Sequence, residues 1–402
     1  MEIIYRHEYL DKIESYLNKQ IIIVLTGQRR VGKSCMLKQF AQLKSSDKNV
    51  NIIFIDKEKR EFDAVKTYQD LNVLIDSKIK KDCYNYILID EIQDIIGFER
   101  SLRSFRTDDN CQLIVTGSNA KMLSGELTTL IGGRYKEIYI QPLSYTEFLQ
   151  FHSLDDNDDS LAKYLNFGGM PGLVKFGLQE ELVREYQLDI YNTVLLKDVI
   201  MRNQIRNAVF LSNLVRFMAD NEGKLISANN VSKFMKSQGE NITSSVIINY
   251  QKYLTDTYIM EKVNRYDIHG KKIFESNDKF YFEDNGIRNA IAGGSRVGDI
   301  EKIIESVIYQ HLIRLGYKVF VGQLQAGEID FVCIKPDGSR AYVQASYIIA
   351  DENTMKREFG NLLNINDNYP KYVISTTPLV TSNDYNGITH LGLRKFLKEG
   401  LI

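Results

Sequence analysis

Two short stretches of this sequence carry side chains of the types that handle phosphate groups and divalent metal ions. The first is the run IIIVLTGQRRVGKS over residues 21–34, in which five apolar residues predict a buried strand and a loop of pattern G-x-x-x-x-G-K-S/T follows. The eight loop residues are Gly27, Gln28, Arg29, Arg30, Val31, Gly32, Lys33 and Ser34. The glycines let successive backbone N–H groups face phosphate oxygens, Lys33 adds a positive charge and Ser34 can ligate Mg²⁺. The pattern predicts a nucleotide-binding loop; the alternative is a glycine-rich turn before the helix predicted over 35–44.

The second stretch is the run YILIDE, in which a predicted buried strand ends in the adjacent carboxylates Asp90 and Glu91. Asp90 can hold the Mg²⁺ shell, and Glu91 can polarise the water molecule that attacks a phosphoryl group. Apolar residues before an Asp-Glu pair also occur at ordinary strand ends in solvent. The phosphate-binding pattern upstream, with one predicted strand between, favours the role in phosphoryl transfer.

Two later segments supply candidates that would complete such a site. Ser118 or Asn119, directly after a predicted strand, can hydrogen-bond the γ-phosphate or the water molecule, and the sequence does not distinguish these two positions; the alternative is a plain turn. Arg134 follows two glycines and could reach a nucleotide in the same or a neighbouring subunit. The alternative for Arg134 is a surface arginine that pairs with Glu137 or faces solvent.

The segments that must position these residues alternate in type. Strand-like runs at 52–55, 86–90, 113–116 and 136–140 are separated by polar segments long enough for helices. Strands that alternate with helices form a parallel sheet, and ligands bind at its carboxyl edge. We therefore predict an α/β fold with a parallel sheet over residues 1–142.

Composition limits the classes of protein and of partner. The chain has 402 residues, 44% hydrophobic and 26% charged, with a net charge of −1, which predicts several globular domains and no global attraction to nucleic acid or membrane. Its four cysteines are scattered, which argues against a zinc site or a disulfide framework and suits a reducing compartment. The amino-terminal residues lack a signal-peptide pattern, and no apolar run approaches the roughly 18 residues of a membrane span. The expected location is cytoplasmic.

The order of these motifs resembles the AAA-type ATPase superfamily, in particular a prokaryotic branch of archaeal-type ATPases with a C-terminal domain of unknown function. The segments that carry the resemblance are GQRRVGKS, ILIDEIQ, VTGSNA, the GGR loop, QPLSYTEF and GGMPG, and the likeness spans nearly the whole chain. The resemblance implies these roles: residues 27–34 as Walker A, Asp90 and Glu91 as Walker B, Ser118 or Asn119 as sensor, and Arg134 as arginine-finger candidate. It also implies ATP and Mg²⁺ as cofactors.

The middle of the chain is predicted to be a helical lid over 143–204 and a winged helix-turn-helix over 205–298. Helices are expected at 210–220, 228–236 and 244–255, followed by strands at 259–266 and 279–282. The side chains that could face a DNA groove are Ser245, Asn249 and Lys252. Between residues 205 and 290 there are 12 Lys and Arg against 10 Asp and Glu, a weak electrostatic footprint for DNA, so a protein partner is the alternative.

Residues 299–402 resemble the PD-(D/E)xK restriction-endonuclease-like fold, a small α/β domain. Glu305 and Asp330 stand where that fold carries its helix acid and its metal-binding aspartate. Where the family pattern has Glu-x-Lys, this chain has Gln344 and Ser346, which provide neither a second carboxylate nor a cation. The prediction is a degenerate nuclease used for docking or recognition; the alternative is a plain α/β domain with surface acids.

The combined interpretation is an ATP-binding protein that hydrolyses ATP with Mg²⁺ and couples nucleotide state to its later domains. Lys33 and the loop amides hold the triphosphate, Ser34 and Asp90 hold Mg²⁺, and Glu91 activates water. Two alternatives stay open: a nucleotide-gated regulatory switch or DNA-binding protein with slow hydrolysis, and a DNA-processing nuclease/ATPase. A homo-oligomer is expected if Arg134 acts on a neighbouring subunit.

Overall fold

The computed structural model forms two compact units. It describes residues 4–118, 131–270, 272–273, 277–294, 297–325, 327–349, 352–377 and 384–401. Unit 1 comprises residues 1–141 with 256–258, and unit 2 comprises residues 142–255 with 259–402.

Unit 1 contains a five-stranded parallel sheet with the strand order β2-β3-β4-β1-β5. The strands are β1 (Ile22–Thr26), β2 (Val50–Asp56), β3 (Tyr84–Asp90), β4 (Cys111–Thr116) and β5 (Tyr135–Tyr139). The helices are α1 (His7–Ser15), α2 (Lys33–Lys44), α3 (Tyr68–Lys78) and α4 (Phe98–Phe105), with short 3₁₀ turns at Arg60–Phe62 and Ile92–Asp94.

The central strands of this sheet are apolar because both of their faces are covered. Every residue of β1 and of β4 is buried, as expected for the middle of a parallel sheet. Helix α3 begins with a capping box. The side chain of Thr67 accepts a hydrogen bond from the N–H of Asp70, and the side chain of Asp70 accepts one from the N–H of Thr67. The predicted parallel-sheet P-loop NTPase fold is confirmed, and each predicted strand lies within one or two residues of an observed one.

Unit 2 begins with helices. They are α5 (Tyr145–His152), α6 (Asp158–Phe167), α7 (Glu180–Thr193), α8 (Ala208–Asp220), α9 (Ala228–Ser237) and α10 (Ser244–Thr255), with a 3₁₀ turn at Pro171–Phe176. Helix α7 continues into a π-helical segment at Val194–Met201. The last three of these helices occupy the positions expected for a helix-turn-helix, although membership of that fold stays a prediction.

The rest of unit 2 is built on an eight-stranded sheet and a two-stranded one. The strands are β6 (Met260–Val263), β7 (Arg265–Asp267), β8 (Lys272–Ile273), β9 (Lys279–Phe282), β10 (Lys318–Leu324), β11 (Gly327–Ile334), β12 (Arg340–Ser346), β13 (Lys371–Ser375), β14 (Asp384–Tyr385) and β15 (Ile388–Gly392). The helices are α11 (Asn285–Ala292), α12 (Ile300–Arg314), α13 (Glu352–Leu363) and α14 (Leu393–Glu399), and a 3₁₀ turn lies at Val297–Asp299.

The strand predicted over 259–266 is divided between these two sheets. Strand β6 pairs with β9 in the two-stranded sheet, whereas β7 pairs in parallel with β10 in the larger sheet, whose order is β14-β15-β13-β12-β11-β10-β7-β8. The region predicted as a winged helix therefore contributes two strands to the sheet of the C-terminal region.

The glycine-rich segment GGMPG packs against a buried carboxylate. The backbone N–H of Gly169 donates a 2.7 Å hydrogen bond to Asp284, and a Cβ atom at Gly168 would lie 2.5 Å from the same carboxylate. Asp284 also accepts from the N–H of Ile287 and caps α11. Burial raises the pKa of Asp284 to about 6. The two glycines thus allow α6 and α11 to approach this carboxylate closely.

In the part of the chain that the structure describes, no helix combines the length and the apolar character that crossing a bilayer requires.

Candidate nucleotide-binding site

The phosphate-binding loop follows β1 and runs directly into α2. A Cβ atom at Gly27 would lie only 2.2 Å from the carbonyl oxygen of Ile140, so glycine is required there. Gly32 precedes α2 with φ of 103°, and a Cβ atom built on it meets no described atom within 4 Å. Within the described part of the chain no side chain caps the start of α2, and its first turn carries no acidic residue. The backbone N–H groups of that turn therefore face an open, electropositive space suited to phosphate.

Lys33 fixes the conformation of the loop through hydrogen bonds to the backbone of the loop itself. The ammonium group of Lys33 donates hydrogen bonds of 2.9 Å to the backbone carbonyls of both Gly27 and Gln28, and Lys33 is only 4% exposed. The side chain of Gln28 is also buried, and neither atom of its amide has a hydrogen-bond partner among the described residues. A buried amide without partners is costly, which fits a loop that gains contacts when a ligand binds.

The other loop residues differ in their burial and in their contacts. Val31 is fully buried, and its carbonyl accepts a 3.2 Å hydrogen bond from Arg6, a nearly buried arginine that also stacks over the Tyr9 ring. Arg30 is exposed and adopts a positive φ of 67°, while Arg29 is half-buried. Helix α1 therefore anchors the loop through Arg6.

The metal-binding candidates meet at the carboxyl edge of the sheet. Asp90 ends β3, is 1% exposed, and accepts hydrogen bonds from Ser34 and from Thr116, the latter at 2.6 Å. Burial raises the pKa of Asp90, and these two hydrogen bonds partly oppose the shift. The structure thus brings the predicted pair Ser34 and Asp90 together, in contact, next to the loop.

Glu91 lies in a constrained position beside them. Its φ of 51° is in the left-handed region, which is uncommon for a residue with a side chain. Its N–H donates to the hydroxyl of Thr116 at 2.9 Å, and its carboxylate accepts from Ser118 at 3.3 Å and from Gln93. The predicted water-activating residue is thus oriented by three neighbours. Asn119, the other sensor candidate, lies outside the described residues.

Sequence reasoning missed two members of this site. Thr116 ends β4 and joins Asp90 to Glu91 through one hydroxyl group. Asp56 ends β2, lies in register with Asp90, is 5% exposed and raises the pKa of Asp90 electrostatically. A signal for Asp56 exists in the sequence, because the run IIFID has the same form as YILID: an apolar strand that ends in aspartate.

Arg134 lies at the other edge of the sheet. The carbonyl of Arg134 accepts a hydrogen bond from the N–H of Ile22, the first residue of β1, whereas the phosphate-binding loop begins after Thr26, the last residue of β1. At about 3.3 Å per strand residue, the start and the end of β1 are roughly 13 Å apart. Because Arg134 is exposed at the amino edge, the structure does not bring it together with the loop of the same chain. Action on a neighbouring subunit stays a prediction.

Comparison with known proteins bears on these assignments. An uncharacterized protein of Haemophilus influenzae is 34% identical over 378 residues, which cover 92% of each chain. An uncharacterized protein of Methanocaldococcus jannaschii is 26% identical over 359 residues, covering 85% of this chain and 78% of that protein. Residues 19–149 match the family model described as AAA domain. The chain belongs to one family with the Haemophilus influenzae protein, and its residues 19–149 are similar to an AAA domain. A second model, a domain of unknown function (DUF8612), matches residues 158–297.

Solved structures of low similarity also match. Cdc6p of Pyrobaculum aerophilum is 11% identical, with a TM-score of 0.32 over 73% of this chain and 94% of that chain. The RuvB Holliday junction branch migration motor of Thermotoga maritima is 13% identical, with a TM-score of 0.36 over 65% and 90%. The ORC1 protein of Aeropyrum pernix, solved in complex with DNA, is 13% identical, with a TM-score of 0.34 over 73% and 93%. At these scores we draw nothing from the likeness.

Residues predicted to face DNA lie on the surface of α10. Ser245, Asn249 and Lys252 are all exposed, and so is the apolar side chain of Ile248 between them. An exposed helix face with a single lysine gives little attraction to phosphate. DNA contact through this helix stays a prediction.

Proposed function

We propose that this protein binds ATP and hydrolyses it, with the residues of the loop and of the β3 and β4 strand ends in the roles given to them above. The observation that carries the proposal is the meeting of Ser34, Asp90 and Glu91 at one edge of the sheet, joined through Thr116. A metal-binding hydroxyl and carboxylate next to a water-orienting carboxylate is the arrangement that phosphoryl transfer to water requires.

Each residue then has a defined task. Lys33 releases the two loop carbonyls and binds the β- and γ-phosphates, while the N–H groups at the start of α2 bind phosphate oxygens. Ser34 and Asp90 hold Mg²⁺, which when bound neutralises charge on the phosphates. Glu91 orients the attacking water and accepts its proton.

The residues present fit a magnesium–nucleotide complex. Mg²⁺ usually keeps several water ligands and takes only one or two protein oxygens, so one hydroxyl and one carboxylate are sufficient. Three features lie along the loop that would receive the phosphates: the space at Gly32, the start of α2 and the buried amide of Gln28. None of the three is filled, capped or hydrogen-bonded by a residue that the structure describes.

A role for Arg134 in catalysis would require the protein to form an oligomer. Since it lies at the sheet edge away from its own loop, its use in catalysis requires a second copy of the chain. Turnover per molecule should then rise with protein concentration, and Arg134→Ala should abolish that rise. A constant specific activity over the dilution series would contradict the trans role while leaving ATP binding intact.

A second candidate, a nucleotide-gated switch with slow hydrolysis, is favoured by one observation. Gln93 and Ser118 both donate to Oε2 of Glu91, so one of its two carboxylate oxygens is already held by protein donors and proton transfer from water depends on the other, Oε1. In that case the bound nucleotide would bias the state of unit 2, and DNA or a protein would be the partner bound there.

Two variants separate ATP hydrolysis from nucleotide-gated binding. Lys33→Ala should weaken Mg²⁺-dependent ATP binding roughly 100-fold, because it removes charge-assisted bonds to the phosphates. Glu91→Gln should bind ATP normally but lower the turnover number roughly 100-fold or more, because it removes the proton acceptor. The measurements are nucleotide affinity and steady-state phosphate release, with and without duplex DNA.

Lys12→Ala serves as the control, because it removes an exposed lysine of α1 that lies outside the loop. No Mg²⁺-dependent binding of adenine nucleotide by the wild-type protein would overturn the whole proposal. Binding with fast turnover in Glu91→Gln would overturn only the assigned role of Glu91.

A further inference from the structure

A second buried lysine lies in unit 2, among carboxylates from two other elements. Lys279 begins β9 and is 3% exposed. Its ammonium nitrogen lies 2.7 Å from Glu328 and 3.7 Å from Asp330, both on β11, and 2.9 Å from Glu305 on α12. This is the region in which the sequence resembles a metal-dependent nuclease, and Glu305 and Asp330 are the acids that the resemblance singles out.

The carboxylates around Lys279 have further partners. The hydroxyl of Tyr281, two residues along β9, donates a 2.6 Å hydrogen bond to Glu305. The N–H of Ala345 donates a 2.9 Å hydrogen bond to Asp330. The side chain of Gln344, which stands where the nuclease pattern has an acid, donates to Glu358 at 3.3 Å. The cluster is thus an ordered network that extends over β9, α12, β11 and β12.

Lys279 occupies the centre of the cluster in its charged form. Burial alone would lower the pKa of Lys279, but the carboxylates of Glu305, Asp330 and Glu328 outweigh it and raise the pKa. Burial, reinforced by Glu305, raises the pKa of Asp330 to about 8. The ion-pair geometry, with all three carboxylates 3.7 Å or less from the ammonium nitrogen, holds Lys279 as a cation.

The ammonium and a divalent cation would compete for the same space. A divalent ion sits about 2.0–2.6 Å from its carboxylate oxygens, closer than the nitrogen of Lys279 lies to any of them. No group of three or more metal-ligating side chains is arranged to hold a metal within the described residues. Four ionisable side chains from three elements already contact one another here.

We infer that Lys279 takes the place of a divalent metal ion in this carboxylate cluster, so that β9, α12 and β11 are held together by an internal cation and unit 2 carries no metal-dependent nuclease activity. The family pattern has its lysine where this chain has Ser346, and the structure places a lysine of β9, 67 residues earlier in the chain, beside the carboxylates. The inference concerns unit 2 and does not depend on the nucleotide site.

The first test uses the wild-type protein and Asp330→Asn. Both should leave supercoiled plasmid intact in Mg²⁺ and in Mn²⁺, and neither metal should shift the thermal unfolding midpoint in the absence of nucleotide. Plasmid nicking by the wild type that disappears in Asp330→Asn would overturn the inference, since Lys279 would then be a catalytic lysine beside a metal. This test requires no change at Lys279.

The second test removes the internal cation with Lys279→Met, a change that keeps the length of the side chain. Without this cation, the thermal unfolding midpoint of the protein in EDTA should fall by about 10 °C, and Mn²⁺ or Ca²⁺ should restore a large part of the loss. In the double variant Lys279→Met/Asp330→Asn the restoration by metal should disappear.

The matched control is Lys262→Met, which breaks the 3.1 Å ion pair of Lys262 with Asp278 on the same two-stranded sheet. This lysine is 45% exposed on its side chain, so its loss should change the midpoint little and create no response to metal. If Lys279→Met fails to fold in EDTA, refolding yield with and without Mn²⁺ is the measurement, and equal yields would overturn the inference.

Discussion

Two buried lysines show how differently this chain places a positive charge. Lys33 donates to the backbone carbonyls of Gly27 and Gln28, six and five residues away in the sequence. Lys279 faces carboxylates on Glu305, Glu328 and Asp330, which are 26 to 51 residues away. Both are nearly inaccessible, at 4% and 3% exposure. The first lysine belongs to a local loop, and the second belongs to a tertiary network.

The choice of partner determines what each lysine can do. Backbone carbonyls are neutral, so a phosphate that enters the loop can outcompete them for the ammonium of Lys33. Carboxylates are charged, and a lysine held by several of them in a buried place gains little from another anion. The comparison explains why one site is suited to binding a ligand and the other to holding elements together.

The stability of unit 2 should depend strongly on pH, and this is the largest effect we expect. In unit 2 burial raises the pKa of Asp284 to about 6, of Glu222 to about 7 and of Asp330 to about 8, from ordinary values near 4. Between about pH 4 and pH 8 the folded state therefore holds protons that the unfolded state releases. By linkage, the contribution of these groups to stability falls as pH rises through this window.

The measurement is the thermal unfolding midpoint of the full chain at pH 5 and at pH 8. We expect the midpoint to fall by roughly 5 °C or more at the higher pH. Asp330→Asn, which cannot lose a proton, should reduce this slope, whereas Arg30→Ala in unit 1 should leave it unchanged. A midpoint that rises steadily from pH 5 to pH 8 would contradict the assigned protonation of the cluster.

The same contrast between local and tertiary placement explains what the sequence could predict. The loop over 27–34 and the Asp90–Glu91 pair were recognisable because each is a run of consecutive residues whose spacing suffices for the chemistry. Lys279 was not recognisable, because nothing in its own surroundings in the sequence indicates that β9 passes beside α12 and β11. The divided strand at 259–266 has the same cause, since both halves have strand-like sequences and only tertiary packing assigns them to different sheets.

Thr116 tests whether the nucleotide site also depends on a tertiary contact. Its hydroxyl donates to Asp90 and accepts from the N–H of Glu91. Thr116→Val keeps the shape but removes both bonds, leaving two buried polar groups short of a partner. We expect the turnover number to fall about 10-fold, with a smaller change in nucleotide affinity.

Thr116→Ser is the matched control for that variant, because it restores the hydroxyl and should recover most of the activity. Steady-state kinetics with both variants gives the comparison. If Thr116→Val and the wild type turned over equally, the link between the two acids would be structural only.

A substitution at Asp56 tests the electrostatics at the strand ends, and its expected effect is the smallest of those described here. It lies in register with Asp90, and its charge contributes to the raised pKa of Asp90, after the larger effect of burial. Asp90 must be ionised to hold Mg²⁺, so activity should decline on the acid side as Asp90 takes up a proton. Asp56→Asn removes a negative charge, which lowers the pKa of Asp90 and shifts the acid limb of the pH–activity profile to lower pH.

The charge of Asp56 also attracts Lys38, whose ammonium lies 3.9 Å away and is 57% exposed on its side chain. Lys38→Met therefore serves as the opposite control: with that cation gone, Asp56 repels the charge of Asp90 more strongly, and the acid limb should move to higher pH or stay in place. Movement of both variants in the same direction would mean that the shift arises from altered packing. In that case Asp56 would shape the site through its hydrogen bond to the N–H of Glu58, at 3.1 Å, and not through its charge.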